Sequence, residues 1–359
     1  MLNNSQSYVL NSSQNQPLLS VIVPVHNGGK SFVKCLDSLD RWGQATEVIV
    51  VADGESDGSW RRAEEYGARV IRLPKSKGPA NARNVGAEIA SADILLFIDA
   101  DVTIHPTTVE RAYQAFQTDA HLAALIGSYD DAPGAPNFLS QYKNLFHHYT
   151  HQQGKVEAST FWGACGAIRK DIFLEMSGFD ASYRRPCIED IELGYRLRQK
   201  GYRIRLCKDV QIKHWKHWTS FSLLKAEVFY RALPWMALLL RLQKDHPQQY
   251  RQFSSDLNLR WSSRLSVVLV YGVCVGLFLS VFWPMLIWVA VLCAIALFTI
   301  NLPVYQFFYR KRGLLFTAQV IPWHWLYYFY SGLAFIIGTF RHHLLQIRAI
   351  QRQSEAVPN

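Results

Sequence analysis

"ILLFIDAD", residues 94–101, is an apolar run of five residues that closes on Asp99 and Asp101. No polar residue alternates within it, so as a strand it must bury both faces, as inner strands of a layered α/β sheet do. Residues two apart on a strand share a face, so the two carboxylates start on one side and repel unless something positive lies between them. One reading is a strand running into an Asp-rich turn. The other is a divalent cation site, since Mg²⁺ and Mn²⁺ prefer carboxylate oxygen and complete their shells with phosphate. The surrounding sequence has to decide.

The same kind of run recurs upstream. "LLSVIVPV" (18–25), "EVIVVAD" (47–53) and "ARVIRL" (68–73) precede the helical patterns "KSFVKCLDSLDRW", "GSWRRAEEYG" and "GPANARNVGAEIA". Strands buried on both faces and separated by helices predict a parallel, doubly wound sheet, whose ligands bind beyond the carboxyl ends of the strands. Pro24 to Asn27, Asp53 and the Asp99/Asp101 pair all fall there, around one crevice. The first turn, "PVHNGG", lacks the glycine pattern of dinucleotide folds, and no phosphate-loop motif occurs, which argues against a nicotinamide enzyme or a P-loop ATPase. Paired carboxylates and a basic "KSKGPANARN" (75–84) predict a nucleotide diphosphate, with Lys77 or Arg83 adding charge-assisted contacts. A Gly-Pro turn into a solvated helix is the competing reading of that stretch.

Five blocks then follow one another: "VIVPVHNGG", "VVADGESDGS", "KGPANARNVGAEIASADILLFIDADV", "FWGACGAIRKDIFLEMSGFD" and "IEDIELGYRLRQKGYRI". Together, over residues 19–215, they resemble the successive signatures of inverting family-2 glycosyltransferases. The resemblance implies an α/β, Rossmann-like doubly wound sheet of the nucleotide-diphosphosugar transferase (GT-A) type. It implies that Pro24, His26 and Asn27 line the base and ribose pocket and that Asp53 accepts a hydrogen bond from the base. The family's preceding acid is Ala52 here, so that contact rests on Asp53, with Asp57 as a helper. Lys77 and Arg83 would meet nucleotide and phosphate. Asp99 and Asp101 match the family's D-x-D, with Asp101 the direct ligand of Mg²⁺ or Mn²⁺.

The family's general base corresponds to Asp190, which would take the proton of an attacking hydroxyl. Read alone, Glu189-Asp190 suits a solvated helix N-terminus better, since acids are favoured there. Glu192 and Arg196 are spaced as a surface i,i+4 pair. "GACGAIRK" is either a place where backbone approaches the donor sugar or a tight strand-to-helix connection. His214 resembles the His that follows the family's last core strand, near the diphosphate or metal. Gln211 to Trp215 only superficially resembles the Q-x-x-R-W of processive polysaccharide synthases, with His in place of Arg and too soon after Asp190.

The second half of the chain is different. Leu265 to Tyr309 is a stretch of 45 residues without Asp, Glu, Lys, Arg or His, and Gly313 to Phe340 adds 28 more, broken only by His324. A span takes about 20 apolar residues, so the first stretch predicts two membrane helices with a turn near Trp283-Pro284, and the second predicts one. Residues 211–242 mix Lys225, Arg231 and Arg241 with aromatics and Leu, which suits a helix in the membrane interface; packing on the soluble domain is the other reading. The chain has a net charge of +10. Half of that excess lies after residue 264, beside the apolar segments, where it can meet anionic lipid head groups without invoking nucleic acid. The six cysteines form no C-x-x-C pair and read as reduced thiols. The polar N-terminus, with no basic n-region, reads as a disordered lead and not a signal peptide.

The expected organisation is a lead (1–17), a GT-A domain (18–215), amphipathic interface helices (216–263), transmembrane helices (264–340) and a basic tail (341–359). The expected function is that of a multi-pass cell-membrane glycosyltransferase (a hexosyltransferase) with its catalytic domain facing the cytoplasm. It would move sugar from a nucleotide-diphosphate donor to a lipid or membrane-associated hydroxyl. A processive polysaccharide synthase and a catalytically inactive sugar-nucleotide-binding protein are the alternatives. The positive-inside rule returns "YRKR" (309–312) to the cytosol but then disfavours a single third span, which would leave Arg341, Arg348 and Arg352 outside.

Overall fold

The computed structural model describes residues 17–39, 46–247 and 260–355. The expected lead therefore falls, but for Pro17, outside the described residues. Strands β1 (Leu19–Val25), β2 (Thr46–Asp53), β3 (Arg69–Leu73) and β4 (Ile94–Ile98) form where the apolar runs predict them. Helices α1 (Gly29–Leu39), α2 (Ser59–Glu65) and α3 (Pro79–Ile89) connect them. β1 pairs in parallel with both β2 and β4, and β2 with β3. The chain therefore winds outward from β1 on one side and returns to its other side at β4. That reversal opens a crevice at the carboxyl ends of β1 and β4, where the 26–29 turn and the Asp99–Asp101 turn lie.

Burial on both faces is the reason β1 and β4 carry no polar alternation, whereas the edge strand β3 exposes Arg69 and Arg72. Val21, Val23 and Val25 of β1 pack with Phe32, Cys35 and Leu36 of α1 on one face. Ile22 points the other way, into a second core with Ile49, Val51 and the alanines of α3.

Beyond β4 come β5 (Val102–Ile104), α4 (Thr108–Thr118), β6 (Leu122–Tyr129), α5 (Phe138–Gln152) and β7 (Glu157–Ala158). They are followed by β8 (Cys165–Arg169), α6 (Lys170–Glu175), α7 (Glu189–Gln199) and β9 (Arg203–His214). The nine-stranded sheet runs β3-β2-β1-β4-β8-β6-β9-β5, with β7 paired to β9. β8 is antiparallel to both β4 and β6, and β5 is antiparallel to β9. This corrects the expectation of a parallel sheet: β3-β2-β1-β4 and the β6–β9 pair are parallel, while the pairings of β8, β5 and β7 are antiparallel. A buried apolar run satisfies its backbone ladder in either direction, so the pattern of residues carried no sign of the reversal.

After β9 come α8 (Ser220–Lys225), a π-helical turn (Ala226–Ala232) and α9 (Leu233–Asp245). Part of this run packs on the sheet domain, the second of the two readings its sequence allows. Trp218 and Leu223 join Leu139 of α5, Leu239 and Leu242 join Tyr195 of α7, and Trp235 Nε1 donates to the Tyr195 hydroxyl at 2.8 Å. Phe221 and Phe229 on the same run remain exposed.

Then α10 (Trp261–Ser280) turns through a short 3₁₀ segment (Pro284–Leu286) into α11 (Ile287–Ile300). The break falls where the sequence predicts a turn, and Gly276 lets the Ala290 backbone come so close that a Cβ there would lie 2.9 Å from its nitrogen. α12 (Leu302–Glu355) contains a non-helical Gly313 and extends through most of the expected tail. By length and composition α10 is able to cross a membrane, and α11 with the first part of α12 is a second such unit, bent by 61°. Phe278, Met285, Trp288 and Leu315 stand exposed along these helices. Lys311 and Arg312 do not await lipid head groups: Lys311 pairs with Asp131, and Arg312 donates to Gln141 Oε1 at 2.8 Å.

Candidate active site

The chain leaves β4 at Ile98 and turns through Asp99 and Asp101 into β5, with the Val102 N–H donating to the Asp99 carbonyl at 3.3 Å. Both carboxylates are half-buried at the crevice. They do not share one partner; each has its own. Arg83 donates to Asp99 Oδ1 at 2.7 Å, while His214 Nε2 lies 3.5 Å from Asp101 Oδ1. The turn points the two side chains at different neighbours, which relieves their repulsion.

His214 comes from the end of β9, in register with Val102. Its ring stacks on Tyr129 with centroids 4.7 Å apart and planes 9° from parallel. Its Nδ1 is 2.7 Å from Asn144 Oδ1. Donation to that carbonyl oxygen fixes the tautomer and leaves the Nε2 lone pair facing the space that the Asp101 carboxylate also faces. Two acceptors aimed at one point fit a divalent cation. Among the described residues no three His, Cys, Asp or Glu side chains close a cage. A site on Asp101 and His214, with the spare Oδ2 of Asp99, therefore suits an ion that draws the rest of its shell from phosphate and water, as Mg²⁺ and Mn²⁺ do.

Arg83 is buried, not reaching into the crevice. Besides Asp99 it donates to Glu189 Oε1 at 2.9 Å, and Gly163 makes room for it, since a Cβ there would lie 2.9 Å from the guanidinium carbon. The first glycine of "GACGAIRK" thus serves this close approach, whereas a Cβ on Gly166 would lie 2.4 Å from the Trp162 carbonyl oxygen. Burial works against the charge on Arg83, but Asp99 and Glu189 together raise its pKa further. Both of its terminal nitrogens are engaged with carboxylates, in place of the expected phosphate. Arg83→Met would strand Glu189 without its cation, and breaking a buried pair costs about 3–5 kcal/mol. The melting temperature should fall accordingly; a variant melting with the parent would show that the ion pairs contribute little.

Asp190 stands beside Glu189 in the first turn of α7, half-buried. Its Oδ2 accepts from the Gly163 N–H at 3.0 Å and its Oδ1 from the Ile191 N–H at 2.8 Å. Burial, and then the charge of Glu189, push its carboxyl up to about 6. That range suits a group that must take a proton near neutral pH. Arg83 thus ties the two halves of the site together, with Asp99 at a strand end on one side and the Glu189-Asp190 helix start on the other.

The nucleotide-side residues sit differently from expectation. Asp53 is buried, and its carboxylate accepts from Ser76 Oγ, Lys77 N and Gly78 N, each at 2.8 Å. The 76–78 loop folds back over the end of β2 and takes three of the acceptor positions of this carboxylate. Gly78, at φ 96°, is needed there, because a Cβ would lie 2.5 Å from the Arg184 carbonyl carbon. The Lys77 side chain is exposed. His26 Nδ1 is 2.7 Å from the Asp53 carbonyl, and Asn27 Oδ1 accepts from the Ser56 N–H at 2.8 Å. Asp57 accepts from Gly29 N at 2.9 Å. Pro24 is part of β1, beside Val51. These residues lace the 24–29, 54–59 and 76–78 loops into one rim. Glu192 and Arg196 do pair, at 2.6 Å, and Arg196 also donates to the Gly178 carbonyl at 2.7 Å.

Sequence reasoning missed Asn144 and Tyr129, which set the orientation of His214. It also missed the buried Glu227, which takes Lys143 and Arg231 at 2.8 Å each. One signal was available: Lys143, Asn144, His147 and His151 recur at helical spacing within α5.

Residues 20–176 match the family described as "Glycosyl transferase family 2". Glycosyltransferase GlyG of Streptococcus pneumoniae is 30% identical over 146 residues, 39% of this chain and 46% of that protein. Dolichol-phosphate mannosyltransferase of Pyrococcus furiosus is 29% identical over 181 residues, 49% of this chain and 48% of that protein. The match thus spans under half the length of either relative. Among solved structures, the mannosyltransferase PcManGT of Pyrobaculum calidifontis, in complex with GDP-Man and Mn²⁺, superposes with a TM-score of 0.57 at 15% identity. It covers 89% of this chain and 87% of its own. At that identity the likeness is one of fold.

Proposed function

We propose that this chain, whose residues 20–176 are a family-2 glycosyltransferase domain of the GT-A fold, transfers sugar from a nucleotide-diphosphate donor to a hydroxyl on a lipid or membrane-associated acceptor, with inversion. The observation that carries this reading is the buried Arg83, which joins Asp99 to Glu189 beside Asp190. A donor bound over the β1 and β4 ends would present its anomeric carbon near the N-terminus of α7. The acceptor oxygen attacks that carbon, the bond to the diphosphate oxygen breaks, and the hydroxyl proton goes to the Asp190 carboxylate. Asp101 and His214, with Asp99, would hold Mg²⁺ or Mn²⁺; such an ion, when bound, supplies positive charge for the departing diphosphate. Glu189 is tied to the Arg83 guanidinium and to the Cys187 N–H at 2.8 Å, whereas Asp190 accepts from the backbone N–H groups of Gly163 and Ile191, which favours Asp190 as the base.

The exposed apolar faces of α10 and α11 support membrane anchoring, with the sheet domain on the cytoplasmic side as the Lys311–Asp131 contact would require of "YRKR". The names of the Pyrococcus relative and of PcManGT are in keeping with a lipid acceptor and a metal-bound nucleotide-sugar donor. The test is transfer from a panel of labelled nucleotide sugars into the lipid extract of membranes carrying the protein. The rate should fall below pH about 6, because a protonated Asp190 cannot accept a proton, and by roughly tenfold per pH unit well below that value. Labelled free sugar without labelled lipid would remove the lipid acceptor. No turnover of any donor would remove the enzyme.

A further inference from the structure

Lys311 and Arg312 lie on α12 just before its non-helical Gly313. Their contacts with the sheet domain, among the described residues, all go to the stretch that links β6 to α5 and to the first turn of α5. Lys311 pairs with Asp131. Arg312 donates to Gln141 Oε1 through Nε at 3.1 Å and through Nη2 at 2.8 Å. The Gln141 amide carries the contact inward: its Nε2 donates to the carbonyls of Pro133 and Ala135, at 3.1 and 2.7 Å. A side chain that accepts from a charged donor while gripping two loop carbonyls holds that loop in one conformation.

The same loop supports the residues assigned to the cation. The Asp130 N–H donates to the Ile212 carbonyl at 2.8 Å and the Gly134 N–H to the His214 carbonyl at 2.9 Å. Lys213 Nζ donates to the Ala132 carbonyl at 2.7 Å. Gly134 abuts Trp215, since a Cβ there would lie 2.3 Å from the indole ring. The indole is fixed elsewhere too: its Nε1 donates to Thr103 Oγ1 at 3.2 Å, and Lys34 Nζ lies 3.3 Å from the ring centroid. The Trp215 backbone N–H donates to the Asp101 carbonyl at 2.8 Å. Asn144, which orients the His214 ring, lies three residues beyond Gln141 on α5. Asp101 and His214 thus both hang on elements that Arg312 grips.

We propose that Trp215 is a positioning residue for Asp101 and His214, and that Lys311 and Arg312, acting through the 130–135 loop, make the membrane-side helices part of that support. The cation site is then complete only while α11 and the start of α12 are seated on the sheet domain. The use of this device rests on the transferase reading; its geometry does not.

Hydrogen exchange of the full chain in a non-ionic detergent, without added metal, reads the support directly by mass spectrometry of peptides containing the Gly134 and Trp215 amides. Arg312→Gln should speed exchange at both by roughly tenfold, as for lost hydrogen bonds to a charged group. Arg312→Lys should recover part of the protection. Arg203→Gln breaks pairs with Asp119 and Glu157 at the start of β9 and should leave both amides at the parental rate. Electron paramagnetic titration of Mn²⁺ should show weaker binding in Arg312→Gln. In Gly134→Ala, which displaces the indole, binding should weaken by about tenfold or more, the loss typical of a contact that orients a metal ligand. Parental exchange in Arg312→Gln would overturn the proposal. So would equal acceleration in Arg203→Gln, the mark of general loosening. Parental Mn²⁺ affinity in Gly134→Ala would overturn the role of Trp215. A parent chain that binds no Mn²⁺, yet loses protection in Arg312→Gln, would uphold the support and count against the metal reading alone.

Discussion

Asp190→Asn should leave donor affinity near the parental value while sugar transfer falls by roughly 10²-fold or more, the range for a lost general base. Asn has nearly the size of Asp, and its side-chain oxygen can still accept from the Gly163 N–H that Asp190 now holds at 3.0 Å. It cannot take a proton. The substitution also removes a carboxylate that burial and Glu189 make costly to ionise, so the fold should not suffer. Calorimetry with the nucleotide-sugar and single-turnover transfer at saturating donor separate the two effects. The pH profile gives an independent readout, because the loss of activity below about pH 6 should disappear with the carboxyl that causes it. Parental transfer by the variant would place the base elsewhere. Glu189 would be the next group to test, although its tie to Arg83 at 2.9 Å argues against it.

EDTA should abolish donor turnover, and Asp101→Ala should lose it even with excess Mn²⁺ or Mg²⁺. Asp99 has one oxygen committed to Arg83 at 2.7 Å, whereas Asp101 faces the His214 ring at 3.5 Å. No Arg or Lys nitrogen among the described residues is paired with Asp101 at hydrogen-bond distance, which favours Asp101 as the ligand of an ion. Asp99→Ala should show a mixed effect, with weaker metal binding and a lower melting temperature, because it also takes a partner from the buried guanidinium. Electron paramagnetic titration of Mn²⁺ reads the metal directly, without activity. Unchanged Mn²⁺ affinity in Asp101→Ala, or full turnover in EDTA, would sink the assignment of this pair to a metal.

Several of these features are legible in the residues alone. Apolar runs at 21–25, 48–52 and 94–98 mark strands buried on both faces, and they fold as such, because solvent exclusion on two sides disfavours polar residues along them. Their alternation with helices places the polar strand ends on one crevice, since every parallel strand of the β1–β4 set ends at the same edge. Trp283-Pro284 punctuates the apolar segment where the helices do break. These are local properties: each follows from what a short window buries and where Pro or Gly interrupts it.

What the sequence left open depends on side chains far apart in the chain. The direction of β8 rests on which strand it lies against. Arg83 was read as a phosphate ligand because a basic residue near a nucleotide crevice suits one, yet Glu189, distant along the chain, comes within 2.9 Å and claims it. Asp53 was read as a base contact, yet the 76–78 loop reaches it first. The Lys143–Glu227–Arg231 cluster brings α5 against the π turn, and no periodicity foretells that. A pattern of residues reports which faces are buried, because burial is set by each position's own polarity. Which partner meets a buried charge is decided by the tertiary structure, since in a low-dielectric interior the nearest opposite charge outweighs any local preference.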